Sequence, residues 1–312
     1  MLFLFAGIFV GFLMPLQTAI NSRLRAAVTS PIFASLISFT VGTVALILVV
    51  SINPGDPLGI ISIASSIPWW QWLGGVMGLI FLTTNILIFP RLGGVETAIW
   101  PVLGEILASV VIDHFGWLEV TERPVNLLRG IGLIFVIAGV LAATVLKDLR
   151  NRPAYAPAVV GEQGLSRWLW RFAGLFAGAC SGTQGAVNGA LGRTVGTPVQ
   201  AALVSFVVGT AGLVVLVALL RQFPVRTAAW NDHPKWMWIG GLLGAVFVFT
   251  MAALVPRIGT GPAMVAALTG QTAGSICVDH FGWLEAPHKR VVPVQLVGLG
   301  VMLAGVLAVQ LG

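Results

Sequence analysis

The sequence predicts an all-α integral membrane protein of ten transmembrane helices, arranged as two inverted-topology five-helix repeats. Three observations carry this. The 312 residues are 57% hydrophobic and only 9% charged, far from the roughly 25% charged of soluble domains. Mean hydropathy is +0.96, and apolar runs long enough to cross ~30 Å of hydrocarbon recur along the chain. Most tellingly, the chain is written twice. Asp113-His114-Phe115-Gly116-Trp117-Leu118-Glu119 returns unchanged at Asp279-His280-Phe281-Gly282-Trp283-Leu284-Glu285, 166 residues later.

The spans read as 2–21, 32–52, 70–89, 95–112, 127–147, 169–189, 199–220, 236–255, 262–279 and 291–311. The first is apolar but lacks the positive n-region of a signal peptide. It also aligns with an internal segment near Phe172–Ala186, so it reads as a retained span. Residues 1–148 make the first repeat, 149–167 a polar, Pro- and Gly-bearing linker, and 168–312 the second repeat. Asn53–Pro68 is the other sizeable loop, with Pro54, Gly55, Asp56 and Pro57 as turn residues.

The repeat extends through both halves. Gln17 and Asn21 meet Gln184 and Asn188. Ser38-Phe39 and Gly42-Thr43 meet Ser205-Phe206 and Gly209-Thr210. Trp72, Gly74, Gly75 and Gly78 meet Trp238, Gly240, Gly241 and Gly244. Five spans per unit is an odd number, so the second unit enters the bilayer from the opposite side. Secondary transporters share this architecture, with the substrate site near the midplane between repeats.

Charge sets orientation. Of the 17 Lys and Arg residues, four (Arg123, Arg129, Arg193 and Arg257) fall on one side and all others on the side of the odd-numbered loops. The positive-inside rule places the odd loops in the cytoplasm and both termini outside. The net charge of +6 therefore reads as topology, and the aromatic-and-basic stripes of nucleic-acid binders are missing. Trp69, Trp70, Trp72, Trp117, Trp230, Trp236, Trp238 and Trp283 flank spans, as interfacial belts do. The two cysteines, Cys180 and Cys277, lie inside apolar runs and read as buried and inert. Gly7/Gly11, Gly174/Gly178/Gly182, Gly74/Gly78 and Gly240/Gly244 have the four-residue spacing that lets membrane helices approach closely.

The tandem five-span halves carry a resemblance. So do the Pro15-Leu16-Gln17-x-x-x-Asn21-Ser22-Arg23 start, the Ser38-Phe39-x-x-Gly42-Thr43 run and the Asp113-x-Phe115-Gly116 closing motif. The chain resembles the drug/metabolite transporter superfamily, nearest its YdcZ-like branch, which is related to the EamA-type exporters. The resemblance implies a ten-helix carrier of the bacterial inner membrane that moves small metabolites or toxic compounds, usually outward and often against protons.

The residues themselves point to where transport chemistry would sit. Glu105 lies mid-span, where an unpaired carboxylate costs roughly 2.5–3.5 kcal/mol on insertion scales. A carboxyl that gains and loses a proton as a cavity opens to either side is what proton coupling requires. A protonated Glu acting as an interhelical hydrogen-bond donor is the alternative. Gln271 is its repeat partner and is expected to face it across a central cavity; Gln can orient a ligand but cannot exchange a proton. Gln17/Asn21 and Gln184/Asn188 each share a helix face, as cavity contacts or as polar glue between helices. Trp100 and Pro101 have no counterpart in the second half, where Ala266 and Ala267 stand, and could mark an aromatic pocket wall. Asn85 reads as packing, and Glu96, next to Arg91 at a tight loop, as half of a surface or interfacial pair. The repeated heptad reads as a turn with an aromatic anchor, because inversion places its copies on opposite faces.

Metalloprotease, intramembrane Asp-pair, nucleophile-elbow and P-loop patterns are missing from the sequence, so neither an enzyme nor a cofactor is expected. The partners implied are membrane lipid, a small-molecule substrate and protons as coupling ion, with a homodimer left open. An uncoupled channel or facilitator, and a non-transporting scaffold or sensor, stay open as other readings.

Overall fold

A computed structural model describes residues 2–52, 64–146, 165–223, 234–258, 260–286, 288 and 291–312. Among the described residues there are ten α-helices and no strand. They are α1 (Leu2–Val28), α2 (Pro31–Ile52), α3 (Leu73–Leu92), α4 (Gly94–Phe115), α5 (Leu127–Leu141), α6 (Leu165–Val195), α7 (Pro198–Leu219), α8 (Gly240–Ile258), α9 (Thr260–Phe281) and α10 (Pro293–Leu311).

Seven of the helical segments are long and apolar enough to cross a membrane: α1, α2, α3 with its preceding turn, α4, α5, α7 and α10. Among the described residues seven of the ten expected spans are thus supported. The other three helices are shorter or more polar where described. α6 carries Arg167, Arg171, Gln184, Asn188 and Arg193, and α9 carries Thr269, Gln271, Thr272, Ser275 and Asp279. The apolar stretch at α8 is the shorter Lys235–Met251. α6 begins at Leu165, inside the stretch expected to be linker. Most of the expected linker, and most of the Asn53–Pro68 loop, lie outside the described residues.

The helices pack in pairs that exchange the two halves. α1 lies along α9 and α8, while its repeat counterpart α6 lies along α4 and α3. α2 pairs with α7 and α5 with α10; α3 also meets α7, and α8 meets α2. Each half thus buries its apolar faces chiefly against the other half.

Glycine makes the two central seams possible. A Cβ at Gly104 would lie 1.9 Å from the Leu175 carbonyl oxygen, and one at Gly178 would lie 1.9 Å from that of Pro101. The second seam repeats this: a Cβ at Gly270 would lie 1.8 Å from the Ile8 oxygen, and one at Gly11 would lie 2.0 Å from that of Ala267. No real side chain fits at such distances, so α4–α6 and α1–α9 touch backbone to backbone. In lipid, where apolar burial between helices gains little, this close van der Waals packing is what holds the seams.

The repeated heptad folds the same way twice. Gly116 and Gly282 take left-handed φ values of 60° and 63° and end α4 and α9. The following Trp-Leu-Glu makes a tight turn in each copy, with Leu118, Glu119, Leu284 and Glu285 all at positive φ. Phe115 stacks on Trp117 at 5.1 Å and Phe281 on Trp283 at 5.6 Å.

Candidate functional site

Four helices converge on a narrow polar crevice. Met14, Pro15 and Thr18 come from α1; Phe81, Asn85 and Phe89 from α3; Gly94, Thr97 and Ala98 from α4; and Gln271 from α9. Its free volume is about 10 Å³, room for roughly one water. Asn85 and Thr97 are buried, and among the described residues both Asn85 Oδ1 and Thr97 Oγ1 lack a hydrogen-bond partner. An unsatisfied buried acceptor costs about 1–3 kcal/mol, so the crevice is poised for a polar guest. Asn85, expected to be packing, is therefore a crevice residue; its one sequence signal was a lone amide inside an apolar span.

Phe89 also lines a larger vestibule of about 420 Å³, bounded by Ala19, Ser22, Arg23, Arg25, Ala26, Thr29, Pro90, Leu284, Glu285 and Ala286. The vestibule sits where α1, α3 and α9 end. Phe89 is thus a wall of both the vestibule and the crevice.

Gln271 stands eleven residues from the start of α9 and ten from its end, and Glu105 stands at the same position in α4. Both are half-buried. Among the described residues Glu105 has no hydrogen bond or ion pair. Its backbone lies against the seam, where a Cβ at Gly182 would come within 2.7 Å of the Glu105 carbonyl oxygen. Glu105 is not among the residues that line the crevice with Gln271.

The other amides sit at helix seams. Gln17 presses on Gly244 and Gln184 on Gly78, where a Cβ would meet the amide nitrogens at 2.7 and 2.9 Å. Asn21 Nδ2 donates to Ser38 Oγ at 3.2 Å. In the second half Ser205 Oγ donates to Asn188 Oδ1. Small residues opposite these amides bring the helices close enough for side-chain hydrogen bonds, the arrangement of polar glue. Gln17 Oε1 and Asn21 Oδ1 remain unpartnered in the interior.

Trp100 is buried against α6. Its ring meets Trp168 edge-on at 5.9 Å, and the Arg171 guanidinium lies over both rings, 5.0 Å from Trp168 and 5.9 Å from Trp100. The same arginine explains Glu96, which corrects the surface pair expected from sequence. Glu96 is 1% exposed and is held by two arginines of α6. Arg171 Nε donates to Oε2 at 2.9 Å, and Arg167 Nη2 donates to Oε1. Arg91 instead stacks over Trp170 at 3.9 Å and donates to the Leu87 carbonyl. The sequence offers no local cue, because the arginines lie 71 and 75 residues from Glu96.

Asp279 has a role the heptad did not advertise. Its Oδ1 accepts from Gly94 N–H at 2.6 Å and its Oδ2 from Val95 N–H at 2.9 Å. It therefore caps α4 from the other half, where free N–H groups and the positive dipole end favour a carboxylate. Asp113 lies at the far end of α4, roughly 28 Å away at ~1.5 Å per residue, and pairs with Arg129 at 2.7 Å. Replacing Asp279 with Ala should destabilise the protein by about 2 kcal/mol, read as a lowered melting temperature in detergent; Asn, which keeps an acceptor, should cost less. Cys180 and Cys277 are free and half-buried, more accessible than expected.

Comparison with known proteins follows this geometry. A search of the curated proteins finds no match. A solved structure described as "Crystal structure of protein" is similar over 98% of this chain and 94% of that one, with a TM-score of 0.57 and 15% identity; this likeness concerns the fold alone. A family described as "Putative inner membrane exporter, YdcZ" matches residues 2–142 and 169–308, one match in each half. The chain is therefore a multi-pass membrane protein that belongs to the YdcZ family of inner-membrane exporters within the drug/metabolite transporter group.

Proposed function

We propose that the protein is a secondary transporter that moves a small metabolite or drug-like compound outward by alternating access. In this reading the two five-helix repeats lie in opposite orientations and rock about a midplane site. Glu105 is the proton-coupling carboxyl, and Gln271 is a polar contact for the substrate. Both termini lie outside, as the Lys and Arg distribution favours.

The observation that supports this best is that the vestibule and the crevice beside Gln271 share Phe89 as a wall. The vestibule lies on the face of the odd-numbered connections and the crevice reaches the middle of a helix, as the two ends of one half of an alternating-access path would. The exchange of helix contacts between halves supports the rest. A closed seam at α1–α9 has an equivalent seam at α4–α6, so opening one side while closing the other needs no new type of contact. Glu105 without a partner, in the middle of α4, is the kind of intramembrane carboxyl that marks a proton path.

The test is flux in proteoliposomes under an imposed pH gradient, using a panel of small metabolites. A gradient should accelerate flux of at least one compound through the wild type. Glu105→Gln should melt like the wild type and lose the acceleration. Gradient-driven flux that survives this substitution would remove Glu105 from the mechanism.

A further inference from the structure

The vestibule has a chemical character that the transport reading leaves open. Two guanidinium groups, Arg23 and Arg25, line it, against one carboxylate, Glu285. Arg23 is engaged, with Nε 2.8 Å from Glu285 Oε2. Arg25 is half-buried and has no hydrogen bond or ion pair among the described residues. The C-terminal dipole of α1 favours a cation there, by typically 0.3–1 kcal/mol. The hydroxyl-bearing residues Ser22 and Thr29 share the cavity, and Phe89, Pro90, Leu284 and the alanines give it an apolar wall.

We propose that this vestibule is a binding site for small organic anions, a carboxylate or phosphate joined to an apolar body, with Arg25 as the principal anion contact. A guanidinium forks onto either group with two parallel hydrogen bonds. The bound anion supplies the counter-charge for Arg25, and its apolar part lies toward Phe89. The volume of about 420 Å³ is that of an ordinary small-molecule site. Positive-inside topology asks only that basic residues lie in cytoplasmic loops; it does not require two of them to line one cavity with apolar walls. Glu285 acts as the resting partner of Arg23 and competes with the ligand for it. Calling the anion a substrate rests on the transport reading, whereas its binding does not.

Benzoate and its cationic isostere benzylammonium separate the possibilities. Binding is measured by calorimetry and by thermal shift, on the full protein in phosphatidylcholine nanodiscs. Benzoate should bind and raise the melting temperature, and benzylammonium should do neither. Arg25→Gln should weaken benzoate binding by about tenfold, the usual worth of a charge-assisted hydrogen bond. Arg25→Lys should retain part of it, and Glu285→Gln should strengthen it by releasing Arg23. Benzylammonium binding as well as benzoate, or benzoate binding indifferent to Arg25→Gln, would overturn the proposal. So would silence toward benzoate with stabilisation only when phosphatidylglycerol replaces part of the lipid, which would make this a lipid-headgroup site. Gradient-driven flux of neutral or cationic compounds without benzoate binding would sink the anion site and leave the transport reading intact. Benzoate binding without flux of any compound would do the reverse.

Discussion

Gly104→Ala should lower the melting temperature of the detergent-solubilised protein more than any other single-methyl addition in α4. The added Cβ would sit 1.9 Å from the Leu175 carbonyl oxygen and 2.9 Å from the Ala179 nitrogen. Both are backbone atoms of α6, so no rotamer change relieves the overlap; the helices must part. Overpacking of this kind costs about 1–3 kcal/mol and occasionally more, against a gain of roughly 1 kcal/mol from replacing Gly by Ala in a helix. Gly270→Ala should behave the same way, because its Cβ would meet Ile8 and Phe12 at 1.8 and 2.8 Å. Gly130→Ala and Gly300→Ala provide the contrast. Nothing lies within 4 Å of either added carbon, so propensity alone should act and leave stability unchanged or slightly raised. A Gly104→Ala melting curve that superposes on the wild type would show that α4 and α6 are not locked together at this seam.

Glu96→Ala should be the most damaging change of a single charge. The substitution removes the carboxylate that Arg171, whose side chain is 3% exposed, and Arg167, 30% exposed, both hold. Removing one partner of a buried ion pair costs about 3–5 kcal/mol, because the remaining charge stays desolvated. Chemical denaturation in detergent should show this as a large drop in midpoint. Glu119→Ala is the control: its pair with Arg193 is 57% exposed on both sides, and such pairs contribute only about 0–1 kcal/mol. Glu96→Leu combined with Arg167→Leu and Arg171→Leu should recover much of the loss, since apolar replacement of every member of a buried ionic cluster is often neutral. Equal stability of Glu96→Ala and Glu119→Ala would mean that water reaches the Glu96 cluster. The second half carries Pro262 at the repeat position of Glu96. The carboxylate that pins the α4–α6 seam is therefore not copied by the repeat, an asymmetry within a repeated frame.

Repetition explains why some features were legible before any coordinates. The glycines at four-residue spacing proved to be the seam residues, because a membrane helix that must touch backbone to backbone has few residues to use. The heptad is a turn in both copies, because left-handed Gly116 and Gly282 leave one way to end each helix. Other features were beyond local reading. Glu96 looked like a partner for nearby Arg91, yet its arginines come from α6. Asp279 looked like part of a turn, yet it caps a helix that begins 185 residues earlier. Asn85 looked like filler, yet it lies with Gln271 and Thr97 in one crevice. In each case the deciding contact joins the two halves, and hydrophobic periodicity says nothing about which distant group satisfies a buried charge or N–H.

By itself, the sequence determined the membrane class, the helical repeat, the close-packing glycines and the unmatched midspan pair Glu105 and Gln271. Composition and internal alignment suffice for these, since low dielectric dictates helices and small residues dictate close seams. Only the tertiary structure decided which half neutralises which charge, and that Arg23 and Arg25 share a cavity walled by Phe89, which also lines the crevice with Gln271. Those outcomes depend on distances between residues far apart in the chain, and a buried polar group takes whatever partner the packing brings within hydrogen-bond reach.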